Sequence, residues 1–125
     1  VFLLDTIGDL ASVYSLGAVA FVGGSLVPWG GHNPLEPAQF AVPVVMGTSF
    51  ENFRGIVEAM QKHDAIRVVS GEMLAGTLAG MLRNENEARA LGERGRAVFE
   101  AEAGATARTV RALMELLEER VVRAR

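Results

Sequence analysis

Gly30-Gly31-His32-Asn33-Pro34-Leu35-Glu36 holds more chemistry than any other stretch of this chain. Just before it, the apolar run Phe21-Val22 stops at Gly23-Gly24-Ser25. Glycines at the end of a strand let an anion approach the backbone closely, and Ser25 adds a hydroxyl donor. Glu36 is the only charged side chain between Asp9 and Glu51. A carboxylate there accepts from sugar hydroxyls, and Asn33, three residues earlier, offers both a donor and an acceptor. His32 could donate to a phosphate or act as an acid or base. Each residue also has a structural reading. The glycines serve tight turns that need positive φ, Asn33 caps a helix, Glu36 complements its dipole, and His32 braces the loop.

A second loop has the same character. Gly47-Thr48-Ser49 follows the apolar run Val42 to Met46, and Asn52 follows shortly after. In open α/β sheets, ligands bind beyond the carboxyl ends of the strands, and both loops are such ends. Trp29 would stack on a ligand or cover the loop, Asn52 would cap a helix or face the same pocket, and His63 at a helix end reads as structural.

These residues need elements to carry them. The pattern predicts strands at Val1–Leu4, Ala18–Val22, Val42–Met46 and Ile66–Val69. Pro43 is tolerable only near a strand start. Helices are expected over Asp9–Leu16, with Asp5 or Thr6 supplying cap oxygens, and over Pro34–Phe40, with proline at the first position. Further helices are expected at Phe53–Lys62, Glu72–Leu82, Glu85–Ala101 and Ala105–Arg123. The last carries a stripe of Val110, Leu113, Met114, Leu117 and Val121, with Arg111–Glu115 and Glu119–Arg123 spaced for ion pairs. Short apolar strands alternating with helices predict an α/β fold, a Rossmann-like parallel sheet with helices on both faces. The chain opens on an apolar run without methionine, and four strands are few for such a sheet. A fragment of a longer protein is therefore expected.

Residues 1–62 carry seven charged side chains and residues 63–125 carry twenty, so the amino half reads as buried and the carboxyl half as solvated helices. The net charge of -3 argues against general nucleic-acid binding. With no cysteine in the chain, disulfides and thiolate-held metal are excluded. No apolar run approaches the roughly 20 residues of a membrane-spanning helix. Asp5 and Asp9 lack a histidine partner and are weak metal ligands, so no metal site is expected. There is no Walker lysine and no Gly-x-Ser-x-Gly elbow.

Three blocks of the chain resemble the 3-deoxy-D-manno-octulosonic acid (Kdo) transferases. Asp5-Thr6-Ile7-Gly8-Asp9-Leu10 is similar to the family's Asp-Thr-x-Gly-Glu-Leu. Phe21 to Glu36 matches its Phe-Val-Gly-Gly-Ser…Gly-Gly-His-Asn-x-x-Glu block almost throughout. Gly47 to Phe53 is similar to its Gly-Pro-x-x-x-Asn-Phe block. Asp9 stands where glutamate is usual, Thr48 replaces a proline, and Ala18 sits where aspartate is common. The resemblance implies that residues 1–125 are most of the C-terminal, donor-binding domain of a GT-B glycosyltransferase, with the N-terminal acceptor domain absent.

By that likeness the parent enzyme moves Kdo from CMP-Kdo to a lipid A precursor, with inversion, without metal or cofactor, at the cytoplasmic face of the bacterial inner membrane. Gly23, Gly24 and Ser25 would lie near the CMP phosphate, with Gly30, Gly31 and His32 beside them. Asn33 and Glu36 would contact the nucleotide, Glu36 through the ribose hydroxyls. Gly47, Thr48, Ser49 and Asn52 form a possible second loop. No catalytic residue is expected in this chain. The general base, the lipid acceptor and any membrane contact belong to the missing domain, and the isolated fragment would not turn over. Two other readings are a UDP-sugar transferase or epimerase domain and a non-catalytic nucleotide-binding or interaction module.

Overall fold

In a computed structural model, residues 1–123 are described, with side chains through Glu118. Eight regular elements follow one another: α1 (Leu10–Tyr14), β1 (Ala20–Val22), α2 (Leu35–Ala38), β2 (Val44–Met46), α3 (Arg54–Lys62), β3 (Arg67–Val68), α4 (Gly71–Arg83) and α5 (Glu85–Arg123). A short 3-10 turn, Glu51–Phe53, leads into α3. The three strands form a parallel sheet in the order β1-β2-β3, and the expected parallel α/β fold is observed.

Side chains alternate across a strand, and the register shows which face each meets. Val22, Met46 and Val68 align across the sheet. With Val44 they look onto Ala38 of α2, Val57 and Met60 of α3, and Val98 of α5, which together make the main core. Phe21, Val45 and Arg67 align on the opposite face. There Arg67 borders a cavity with Thr77 and Met81 of α4 and with Ala88 and Leu91 of α5. Helices therefore cover both faces.

The start of α5 crosses the amino ends of the strands. Gly92 lies against the Ala41 carbonyl and Pro43, just before β2, and Gly95 against the Ala65 carbonyl, just before β3. Arg94 donates to the Asp64 carbonyl (2.7 Å) and to its carboxylate (2.8 Å). The Arg67 guanidinium, bonded to the same carboxylate, and to a lesser degree Arg94 hold the Asp64 carboxyl below its usual range. With α5 at the amino ends, the carboxyl ends are left to the glycine loops.

Three expectations are corrected. Val1–Leu4 is not a strand: all four residues are exposed, and no neighbouring strand offers them a hydrogen-bond ladder. Apolar character supplies a face but not a pairing partner. The sheet therefore has three strands rather than four. The two expected carboxyl-terminal helices are one, because α5 runs unbroken through Gly104. A single glycine costs a helix only about 1 kcal/mol, less than is needed to end it. Asp5 and Thr6 do not cap α1. Instead the Thr6 hydroxyl donates to the Asp9 carboxylate at 2.7 Å.

The helical stripe Val110, Leu113, Met114 and Leu117 is present and more than half exposed. Val121 and the Glu119–Arg123 pair lie outside the described side chains. Arg96 pairs with Glu100 at 2.9 Å, and Arg111 does not pair with Glu115.

Gly92→Ala is expected to destabilise the fold by about 1–3 kcal/mol, since its methyl would strike the Ala41 carbonyl oxygen inside a packed contact. Gly76→Ala, in the interior of α4 with open space around it, should instead stabilise by about 0.5–1 kcal/mol. Urea denaturation midpoints of the two variants should move in opposite directions.

Candidate functional site

Parallel pairing of β1 with β2 places Gly23-Gly24-Ser25 beside Gly47-Thr48-Ser49 at the carboxyl edge of the sheet. The two matching blocks from Phe21 onward converge there. The way they join depends on backbone geometry. Gly24, Gly30 and Gly31 have φ of +67°, +82° and +73°, a region that side chains disfavour. These turns bring the two glycine pairs face to face: the Gly31 N–H donates to the Gly24 carbonyl (2.9 Å) and the His32 N–H to the Gly23 carbonyl (3.2 Å). The loop between them is thereby closed at its neck, and its tip, Leu26 to Trp29, is exposed.

The second loop is bonded to the first. Ser49 N–H donates to the Ser25 carbonyl at 2.9 Å, and Asn52 N–H to the Gly30 carbonyl at 3.0 Å. The Gly30 N–H donates to the Ser49 hydroxyl at 3.0 Å, which in turn donates to the Glu51 carboxylate at 2.8 Å. The Asn52 amide donates to the Trp29 carbonyl at 3.1 Å. Space is equally tight. A methyl on Gly47 would meet the Ser25 carbonyl, one on Gly31 the Met46 side chain, and one on Gly30 the Asn52 amide.

Ser25 corrects the sequence reading. Its side chain is fully buried, donates to the Val22 carbonyl at 2.6 Å and accepts from the Gly47 N–H at 2.8 Å. The hydroxyl proton that a phosphate would need is already engaged, and Ser25 acts as a strut between two strand ends. The amides of Gly30, Gly31 and His32 are likewise engaged within the fold. Gly30 and Gly31 thus form a latch between loops, with their amide hydrogens turned inward.

What the framework leaves outward is a small set of side chains. His32 is exposed, with its ring against Gly24. Thr48 is exposed on the neighbouring loop. Asn33 caps α2, its Oδ1 accepting from the Leu35 N–H at 3.0 Å. Glu36 is half-buried in the first turn of α2. Trp29 is 76% exposed at the loop tip. His63 lies away from this edge, bordering a shallow cavity with Ala59, Arg94 and Ala97. Among the described residues, no three acids or histidines are grouped to hold a metal, and no helix is long and apolar enough to cross a membrane.

Two residues escaped sequence reasoning. Glu51 has no role in the sequence reading, yet it accepts from its own backbone N–H and from Ser49, and both bonds hold its carboxyl below the usual range. Tyr14 is half-buried on α1, which packs on α2. Burial, and then the charge of Glu36, push its phenol above the ordinary value. The one signal for Tyr14 is that it is the chain's only tyrosine.

No family model matches the chain. Curated relatives do. Over 123 residues, 97% of the chain, it is 35% identical to the 3-deoxy-D-manno-octulosonic acid transferase of Haemophilus influenzae, covering 29% of that protein. It is 33% identical to the Bordetella pertussis enzyme of the same name, over 94% of the chain and 28% of that enzyme. The corresponding figures for Chlamydia trachomatis serovar D are 34%, 80% and 23%. The chain therefore spans less than a third of the length of these relatives. Among solved structures, it is similar to the C-terminal CMP-Kdo binding domain of WaaA from Acinetobacter baumannii. That match has a TM-score of 0.72 and 34% identity, and covers 77% of this chain and 51% of that one. The resemblance read from the three sequence blocks is borne out, in sequence and in fold.

Ser25→Ala should cost about 1–3 kcal/mol, because it strips the buried Gly47 N–H of its acceptor; thermal unfolding measures this. The depressed Glu51 carboxyl supports the fold at neutral pH, and that support is lost as pH falls through its lowered value. Carboxyl NMR titration should find Glu51 below an ordinary glutamate, and Ser49→Ala should raise it.

Proposed function

We propose that this chain is the donor-binding part of a Kdo transferase and takes CMP-Kdo at the carboxyl edge of β1 and β2. One observation carries the reading. The loops that hold the two matching blocks from Phe21 onward converge on a single edge, in a fold similar at 34% identity to a CMP-Kdo binding domain. The relatives are named for transfer of this sugar, and the parent reaction reads as transfer of Kdo to a lipid A precursor.

Chemistry follows from which groups the latch leaves free. Glu36, the lone carboxylate of the region, accepts from the ribose hydroxyls, and the Asn33 amide nitrogen donates nearby. His32 and Thr48 stand on neighbouring loops as donors for the phosphate. When the bond from Kdo to the phosphate breaks, negative charge grows on the leaving cytidylate. Donors already fixed by a rigid framework stabilise that charge without reorganising. The sugar takes on oxocarbenium character while a base removes the acceptor proton. That base, the lipid acceptor and any contact with the cytoplasmic face of the inner membrane are assigned to parts of the parent protein outside this chain. The reading is inverting and metal-free, and the chain alone binds nucleotide without turnover.

The test is calorimetric titration of CMP, UMP and UDP into the full-length protein that carries this chain. CMP should bind most tightly, and Glu36→Ala should weaken it by about 1.5–3 kcal/mol, the contribution of a charged hydrogen-bonding partner. Preference for a uridine nucleotide would point instead to a UDP-sugar enzyme. Unchanged binding in Glu36→Ala would leave the loops as turns and nothing more.

A further inference from the structure

The exposed His32 ring lies against Gly24, and its aim is set by the backbone that carries it. Three consecutive peptide groups lead into His32, and each is held at both ends. In the first, the Gly30 N–H donates to the Ser49 hydroxyl (3.0 Å) and the Trp29 carbonyl accepts from the Asn52 amide (3.1 Å). In the second, the Gly31 N–H donates to the Gly24 carbonyl (2.9 Å) and the Gly30 carbonyl accepts from the Asn52 N–H (3.0 Å). In the third, the His32 N–H donates to the Gly23 carbonyl (3.2 Å) and the Gly31 carbonyl accepts from the Asn52 amide at a longer 3.4 Å. The N–H ends go to three different partners, whereas all three carbonyl ends go to Asn52. Its side chain lies so close to Gly30 that a methyl there would come within 2.5 Å of the amide nitrogen. The alternative expectation, a helix cap, is not met: neither α3 nor the 3-10 turn before it receives a side-chain cap.

We propose that Asn52 is a positioning residue of the donor site, its amide gripping the carbonyls on either side of Gly30 so that His32 is presented to the donor phosphate. The proposal rests on the reading of His32 as a phosphate donor. A peptide group held at one end can still swing about the neighbouring φ and ψ, and glycine resists such rotation least. Gly30 and Gly31 are both in the positive-φ region, so the two positions before His32 are the softest place in the loop to lose a restraint. Asparagine suits the task because one nitrogen carries two N–H donors, and two carbonyls take them. An aspartate of the same shape has no such donor and would set a carboxylate against two carbonyl oxygens. Glu36 stands on α2, after the cap that Asn33 makes with the Leu35 N–H, so the ribose side of the site does not depend on this grip. Asn52 acts through His32 and touches no reacting atom.

The test compares CMP with cytidine, which lacks the phosphate, by calorimetry on the full-length protein that carries this chain. The variants are Asn52→Ala, Asn52→Asp, His32→Ala and the double variant Asn52→Ala/His32→Ala. Asn52 is exposed, and its variants should fold. Wild type should bind CMP about tenfold or more tighter than cytidine, as expected for charge-assisted hydrogen bonds to a phosphate. His32→Ala should shrink that preference several-fold. Asn52→Ala and Asn52→Asp should shrink it to a similar degree while cytidine affinity falls far less, and Asn52→Ala should add nothing on the His32→Ala background. A merely structural asparagine would weaken both ligands alike and leave their ratio intact, and that result overturns the proposal. So does an Asn52→Asp variant that keeps the full preference, since the role needs an N–H donor. A loss in the double variant equal to the two single losses combined would mean that Asn52 acts independently of His32, and would also refute it. If His32→Ala alone leaves the ratio unchanged, the reading of His32 as a phosphate donor falls, and the proposal with it.

Discussion

The hydroxyl of Ser25 joins two strand ends that would otherwise be free to splay. It donates to the carbonyl of the residue closing β1 and accepts from the amide of the residue following β2, in a place no water reaches. A parallel pair has no hairpin to hold its ends in register, so this crosslink does that work. The order of the loops follows from it. With β1 and β2 fixed at their carboxyl ends, the glycine turns lie close enough to exchange backbone bonds, and the Gly47 loop is close enough to grip the other. Burial of a bonded hydroxyl is tolerable and burial of an orphaned one is not. The strut is therefore specified from both sides.

That arrangement divides the site into a frame and a working surface. Backbone amides and small residues make the frame, and their hydrogen bonds are directed inward. The side chains left outward, and proposed here for recognition, are His32, Asn33, Glu36 and Thr48. α5 lies across the opposite ends of the strands and so supports the sheet without obstructing this edge.

Much of this was legible in the sequence. The strands at Ala20–Val22 and Val44–Met46 were announced by apolar runs that stop at glycine. Pro43 falls immediately before its strand, as its missing N–H requires. Asn33 caps the helix that Pro34 introduces. The convergence of the two loops followed from the rule for parallel sheets. What stayed hidden depended on partners distant in the chain. Val1–Leu4 has the composition of a strand but pairs with no strand among the described residues. The hydroxyl of Ser25 looks like a free donor until Val22 and Gly47 are seen on either side of it. The half-burial of Tyr14 follows from α1 folding onto α2, and no local pattern records that packing. The continuity of α5 through Gly104 is a contest between a weak breaker and strong neighbours, which residue preferences alone resolve poorly.

The glycine contacts bear on how this edge can diversify. At Gly30, Gly31 and Gly47 even one extra carbon collides with a partner loop, so these positions tolerate almost no variation whatever the ligand. Leu26 to Trp29, by contrast, project from the pinned neck into solvent. A randomised library spanning Gly23 to Asn52 would therefore split sharply. Nearly invariant survivors would trace the latch, and a short permissive window at the loop tip would be the one place where new specificity is gained without loss of the fold.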